Sequence, residues 1–178
     1  MQVKLSVLLF LAITMVLFIS GCAGTGQPDT NGTAITNPSR IANASKDLYA
    51  EEFNQGIEHH SNASSLFNNA TSLWNDDDYA AAASLLKDAR VEYALAESHY
   101  RNMAAYASSE DELAFAEALE ESASDMDEAS SRYLMSIDEV MAGNYTASLE
   151  YFQEGQELVD RSMMALNQSL DLMPSYLG

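Results

Sequence analysis

The chain has 178 residues and a formal net charge of −19 at pH 7, with 8 lysines and arginines against 27 aspartates and glutamates. A body with this net field repels nucleic acid and anionic lipid headgroups, so we exclude nucleic-acid binding. The chain has one cysteine, which excludes a disulfide within it.

The first predicted element is an apolar segment at the N-terminus. Lys4 precedes an almost wholly apolar run from Leu5 to Ile19. A basic start followed by a short apolar run is typical of a secretory signal. The run is shorter than the ~20 residues that span a bilayer comfortably, and an uncleaved anchor is the alternative. We predict a signal peptide over residues 1–21.

The single cysteine follows this run directly. Residues Ile19-Ser20-Gly21-Cys22 resemble the prokaryotic lipobox, in which an aliphatic residue, a small residue and Gly or Ala precede a cysteine. The resemblance implies that Cys22 is lipidated and becomes the new N-terminus after cleavage. It also implies a location on the outer face of the cytoplasmic membrane, where stable anchoring takes more than one acyl chain.

Residues 22–39 contain Gly, Pro, Thr and Asn with almost nothing apolar to bury. Such a composition predicts a flexible tether. Residues 40–178 are enough for one domain with its own hydrophobic core.

Asn-x-Ser/Thr triplets are more frequent than this composition predicts by chance, which indicates N-glycosylation. Six occur, at Asn31, Asn43, Asn62, Asn69, Asn144 and Asn167. Together with a lipobox and the lack of disulfides, they favour an archaeal origin.

The rest of the chain predicts an all-α fold, because Pro174 is its only proline after Pro38 and no segment alternates with a period of two. Capping signals divide it into four helices. They are Asn37-Pro38, the acidic run Asn75 to Asp78, the capping box Ser109-x-x-Glu112, and Gly143-Asn144. The predicted helices cover residues 40–74, 77–107, 110–142 and 145–173.

Each predicted helix carries an apolar stripe with spacings of three and four residues. In the second helix the stripe runs from Tyr79 to Ala107, and in the fourth from Tyr145 to Met173, where it includes Leu149 or Ser148 and Gly155 or Gln156. When the last two helices are aligned with the first two at an offset of 66 residues, large stripe residues align with large ones and small with small. This match indicates a duplicated helical hairpin. Short loops then predict an antiparallel four-helix bundle.

An open pair of hairpins with a groove is the alternative architecture. The second and fourth helices begin in a way that resembles the start of a tetratricopeptide-type (TPR) helix, but the helices are longer than that repeat allows. Tyr93, Tyr100 and His60 are predicted to belong to the core, or else to line such a groove. His59 and His99 are predicted to be exposed.

We find no pattern of residues that predicts catalysis. The Glu-x-x-His steps of a di-iron bundle, the Gly-x-Ser-x-Gly elbow and a glycine-rich phosphate loop are all missing from the sequence. The acidic turn at Asp76 to Asp78 lacks the glycine and final glutamate of an EF-hand. We therefore predict a protein without catalytic activity, metal or cofactor.

The sequence thus predicts a membrane-anchored extracytoplasmic lipoprotein that acts as a surface or protein-interaction module. The acidic third helix is either a solvated face or a surface for a basic protein partner. The alternative is a TPR-like groove that binds a peptide or small ligand.

Overall fold

The computed structural model describes residues 38–177, with side chains from Asn43 onward. The predicted signal peptide, Cys22, Asn31 and residues 22–37 of the predicted tether lie outside the described residues. Four helices follow one another: α1 (Pro38–Asn75), α2 (Tyr79–Tyr106), α3 (Glu110–Ala142) and α4 (Tyr145–Leu172). The all-α prediction is confirmed, and Pro38 opens α1 two residues before the predicted start.

The helices begin at the predicted capping residues. Asp78 accepts a hydrogen bond from the Ala81 N–H at 3.2 Å, which caps α2. Ser109 accepts from the Glu112 N–H at 3.1 Å, as a capping box requires. In a capping box the Glu112 carboxylate would accept from the Ser109 N–H. It accepts instead from the N–H of the preceding residue, Ser108, at 2.6 Å.

The turn between α3 and α4 depends on Gly143. Gly143 has φ +80°, and the Asn144 N–H donates to the Glu139 carbonyl at 2.8 Å, which satisfies an end-of-helix carbonyl. Asn144 occupies the predicted cap position of α4 but makes no side-chain capping bond. Its amide donates instead to Glu139 Oε2 at 2.7 Å.

The helices pack in chain order as antiparallel neighbours: α1 with α2, α2 with α3, and α3 with α4. Within each hairpin, buried small residues recur at every seventh position, which lets neighbouring backbones approach closely. In the first hairpin these residues are Gly56, Ala63, Ala70, Ala82, Ala89 and Ala96. In the second they are Ser122, Ala129, Ser136, Ser148, Gly155 and Ser162. The two sets are related by the predicted offset of 66 residues.

The serines between α3 and α4 hydrogen-bond to one another. Ser122 Oγ lies 2.8 Å from Ser162 Oγ, and Ser136 Oγ lies 2.9 Å from Ser148 Oγ. Each pair also includes a hydrogen bond to a backbone carbonyl of the partner. Serines of the second hairpin therefore occupy positions that are alanine or glycine in the first, and their buried hydroxyls still have hydrogen-bond partners.

Large residues fill the space between the two hairpins. Phe53 of α1 packs on Phe115 of α3, with ring centroids 5.7 Å apart. Nearer the hairpin turns, Phe67 packs on Tyr133 at 5.5 Å. Two clusters of buried residues result, one toward the α2–α3 loop and one toward the hairpin turns.

The predicted stripe of α4 is wrong in part. The residues that α4 buries are Ser148, Gly155, Leu158, Ser162, Ala165 and Ser169. Tyr145, Leu149 and Leu170 are 72%, 46% and 40% exposed. The reason is that α4 packs its small residues closely on α3 and does not pack its backbone closely against α1, so its larger residues are less covered.

We predict that Gly56→Ala lowers the free energy of unfolding by about 1–2 kcal/mol. A Cβ at Gly56 would lie 2.5 Å from Tyr100 Cε1, and the Tyr100 ring is fully buried. Overpacking costs about 1–3 kcal/mol, which exceeds the gain of about 1 kcal/mol in helix propensity. Urea unfolding followed by circular dichroism measures the change.

Gly155→Ala is the matched control, because a Cβ there meets its nearest atoms at 3.4 Å. The free energy of unfolding of this variant should stay within about 1 kcal/mol of the wild-type value, with helix propensity favouring alanine. Equal destabilisation by both substitutions would contradict the steric explanation.

Candidate functional site

Three groups of polar side chains interrupt the apolar packing. The first combines His60, Tyr93 and Tyr100, which the sequence predicts for the core or, as the alternative, for a groove. The second is a pair of histidines on α1 and α2, and the third is a set of ion pairs along α3. The geometry of each group shows what it can do.

His60, Tyr93 and Tyr100 lie together inside the bundle. The His60 ring centroid is 5.4 Å from that of Tyr93 and 6.2 Å from that of Tyr100. Both tyrosines are fully buried. The structure therefore brings the three residues together in the core, and the two tyrosines do not line an open face.

Burial decides the protonation of this trio. Tyr93 Oη lies 3.3 Å from Ser64 Oγ, whereas Tyr100 Oη and His60 Nδ1 have no hydrogen-bond partner in the described part of the chain. Desolvation lowers the pKa of His60 to about 4, and it raises the pKa of Tyr100 far above its usual range. All three side chains are neutral at pH 7. A charge on any of them would be removed from water without a partner of opposite charge nearby.

The second group is a crossed pair of histidine–carboxylate contacts between α1 and α2. His59 Nδ1 lies 2.7 Å from Glu92 Oε2, and His99 Nδ1 lies 2.7 Å from Glu52 Oε2. The two imidazoles are parallel within 7°, with centroids 5.4 Å apart. The prediction that these histidines are exposed is wrong, because their side chains keep only 29% and 19% of their accessible area.

A repeated spacing explains this arrangement. Glu52 precedes His59 by seven residues on α1, and Glu92 precedes His99 by seven on α2. Residues seven apart share one helix face, so two antiparallel copies place each glutamate beside the other helix's histidine. This shared Glu-x6-His spacing is a signal in the sequence from which the cluster could have been predicted.

The paired imidazoles are poorly arranged to share a metal ion. Their lone pairs lie in the ring planes, and the planes are nearly parallel, so the two rings do not converge on one point. Within the described residues, no group of three or more His, Cys, Asp or Glu side chains could hold a metal ion. The cluster is therefore best explained as a polar contact between α1 and α2.

The third group pairs arginines with carboxylates of α3. Arg90 of α2 donates to both oxygens of Asp127, at 2.8 and 3.2 Å, and Arg101 Nε donates to Glu120 at 2.9 Å. Arg161 of α4 binds Asp125. These contacts cross-link α3 to both of its neighbours, so part of its predicted acidic face is already neutralised.

The end of the bundle at the α2–α3 loop is closed by the residues that follow α4. Tyr176 Oη donates to Glu112 Oε1 at 2.8 Å, and Tyr49 Oη donates to the Glu112 carbonyl at 2.7 Å. Burial raises the pKa of Glu112, but the hydrogen bonds from Ser108 and Tyr176 outweigh it and leave that pKa below its usual value. Two open depressions of about 360 and 490 Å³ lie beside Ser109.

The candidate glycosylation sites in the described part of the chain are all on the surface. These exposed residues are Asn43, Asn62, Asn69, Asn144 and Asn167. Four lie on α1 and α4, and Asn144 lies in the α3–α4 turn. A glycan at any of them would leave the core undisturbed.

No family model, no curated protein and no solved structure matches this chain. Over residues 38–177, no helix is long and apolar enough to cross a membrane. Any function must therefore be argued from the residues themselves.

We predict that His60 makes the fold less stable in acid. An unfolded chain protonates this histidine near its ordinary pKa of about 6.5, whereas the folded protein resists protonation until about pH 4. The unfolded state thus binds more protons between these values, and stability falls with decreasing pH by up to about 3 kcal/mol.

His60→Met should remove this loss, since methionine already occupies the equivalent position, Met126, in the second hairpin. The measurement is the difference in unfolding free energy between wild type and variant from pH 7.5 to 4.5. His59 and His99 are unchanged in both proteins and serve as the internal control. A constant difference across this range would contradict the prediction.

We also predict measurable coupling between Glu52 and His99. A partly buried contact of this kind contributes about 0.5–1 kcal/mol. A double-mutant cycle with Glu52→Gln and His99→Gln at pH 7.5 measures it through urea unfolding. Strictly additive single and double variants would show that the contact contributes nothing.

Proposed function

We propose that this protein is a lipid-anchored, N-glycosylated extracytoplasmic protein whose helical body is a non-catalytic protein-interaction module. The observation that carries the proposal is the Ile19-Ser20-Gly21-Cys22 sequence at the end of an apolar signal-like segment. The lipidated cysteine of such a sequence would attach the chain to the outer face of the cytoplasmic membrane.

The topology of the body supports attachment at one end. α1 starts at Pro38, and Ser45 near its start donates to the Tyr106 carbonyl, at the α2–α3 loop, at 2.8 Å. A tether that ends at Pro38 therefore enters the end of the bundle that also holds this loop and the C-terminal residues. The two hairpin turns lie at the opposite end, which a tether would hold away from the membrane.

The exposure of the five described Asn-x-Ser/Thr sites supports glycosylation. None of them lies on α2, and none on α3. Carbohydrate would then occupy the outer sides of α1 and α4 and the α3–α4 turn. The interior supports a non-catalytic body, because Tyr93 and Tyr100 are fully buried and desolvation keeps the adjacent His60 neutral at pH 7.

The alternative function is a TPR-like groove for a peptide or small ligand. The observation that favours it is the side between α1 and α4, where Phe152 and Val159 remain half-buried. Trp74 and Phe152, with ring centroids 5.8 Å apart, join the two helices near the hairpin turns. A ligand would have to use this side, because the tyrosines predicted for the groove are buried.

Lipidation is tested by mass spectrometry of the intact mature protein and by cell fractionation. We expect a protein that begins at Cys22, carries a lipid adduct and fractionates with membranes. Cys22→Ala should lose the adduct and leave the membrane fraction. A wild-type protein without an adduct, or an unchanged location of Cys22→Ala, would contradict the anchor.

Glycosylation is tested by peptide mass spectrometry of the same preparation. We expect glycan masses on asparagines among the six triplets, lost one at a time in the corresponding Asn→Gln variants. The control is Asn37, which Pro38 excludes as an acceptor. Unmodified asparagine at all six positions would contradict this part of the proposal.

A further inference from the structure

An apolar patch is exposed at the end of the bundle that carries the hairpin turns. Met141, Tyr145 and Leu149 are 65%, 72% and 46% exposed, and we call them the tip patch. Tyr145 and Leu149 are four residues apart in the first turns of α4, so they lie on one helix face. Met141 stands at the end of α3, across the Gly143 turn.

An aromatic cluster that joins both hairpins lies at the same end of the bundle as the tip patch. The Trp74 ring packs against Tyr79 with centroids 6.0 Å apart and against Phe152 at 5.8 Å. Tyr79 Oη donates to Asp77 Oδ1 at 2.8 Å, and the phenol of Tyr145 is close enough to Tyr79 to help raise its pKa, after the larger effects of the Asp77 hydrogen bond and burial. Tyr145 of the tip patch is therefore near an aromatic side chain of the first hairpin.

The surroundings of the tip patch are acidic. Asp76, Asp77 and Asp78 are exposed in the α1–α2 turn, and Asp138 and Glu150 are exposed on α3 and α4. Neither residues 72–86 nor residues 133–160 contain a lysine or arginine. The arginines of α2, α3 and α4 lie further along the helices, where they pair with carboxylates.

We propose that the tip patch docks a protein segment that combines basic side chains with an apolar anchor residue. Aromatic residues and methionine are enriched at protein interfaces, and complementary charge around such residues steers a basic partner toward them. A second copy of this chain is disfavoured by like charge at the same end, and an anionic membrane is repelled for the same reason.

This inference rests on the proposed role as an interaction module and names the class of partner. It also concerns Asn144, one of the candidate glycosylation sites, which is adjacent to Tyr145 in the chain. A glycan on Asn144 has to leave the tip patch accessible if the docking proposal is right.

The test uses Trp74, which is the only tryptophan of the chain and packs on Tyr79 and Phe152 at the same end of the bundle. The full chain, in a nanodisc of zwitterionic phospholipid, is titrated with a short synthetic peptide of lysine, leucine and alanine. Trp74 fluorescence and calorimetry both report binding. A peptide with glutamate in place of lysine tests the charge requirement.

We expect Tyr145→Ser/Leu149→Ser to raise the Kd for the lysine peptide about tenfold or more. Val91→Ser/Leu95→Ser is the matched control, because these α2 residues are also four apart, and they are 60% and 40% exposed. It should change the Kd less than about twofold. Binding of the lysine peptide should weaken as salt increases, and the glutamate peptide should not bind.

Four outcomes would overturn the docking proposal. They are an equal effect of the tip and control variants, equal binding of both peptides, loss of binding in protein that carries a glycan on Asn144, and self-association of the chain through the tip patch. Mass spectrometry of the same preparation reports the lipid adduct. Failure of the anchor is therefore distinguished from failure of docking, because each is measured independently.

Discussion

The close packing of small residues within each hairpin is the constraint on which the rest of the structure depends. Gly56, Ala63 and Ala89 bring the backbones of α1 and α2 close together, and the serines of α3 and α4 do the same in the second hairpin. Large side chains are therefore displaced to the faces between the hairpins, where Phe53, Phe67 and Tyr133 pack. The tight contact is built from methyl groups and hydroxyls, whereas large apolar side chains such as Phe53 and Phe115 pack on each other between the hairpins.

The same constraint determines where polar groups are tolerated. Serines fit within a hairpin because each hydroxyl meets another hydroxyl or a carbonyl. Tyr100 lies against Gly56 because only glycine leaves space for its ring, and this contact carries an unpaired hydroxyl into the core. Outside the tight contact, longer side chains span the gap between helices, as in the crossed pairs of His59 with Glu92 and His99 with Glu52.

Local rules in the sequence were enough to predict the helices and their ends, and periodicity also predicted the buried face of α2. It predicted the buried face of α4 only in part. Asp78, Ser109 and Gly143 act within a few residues, so their positions are readable without knowledge of the fold. In α4 the large and the small residues have the same period, so periodicity alone does not decide between Leu149 and Ser148, or between Gln156 and Gly155. The structure buries Ser148 and Gly155. The choice depends on which helix α4 packs against, which is tertiary information. The contact of His59 with His99 was missed for the same reason, since it requires two helices in register.

Charge placement connects the fold with the proposed docking role. The chain has few basic residues, and the arginines of α2 and α4 are committed to cross-linking α3, where carboxylates from one helix meet guanidinium groups from the next. At the end of the bundle that carries the hairpin turns, residues 72–86 and 133–160 contain carboxylates but no lysine or arginine. An acidic protein that neutralises its central helix and leaves its tip negative around exposed apolar residues has the charge distribution expected of a module that selects basic partners.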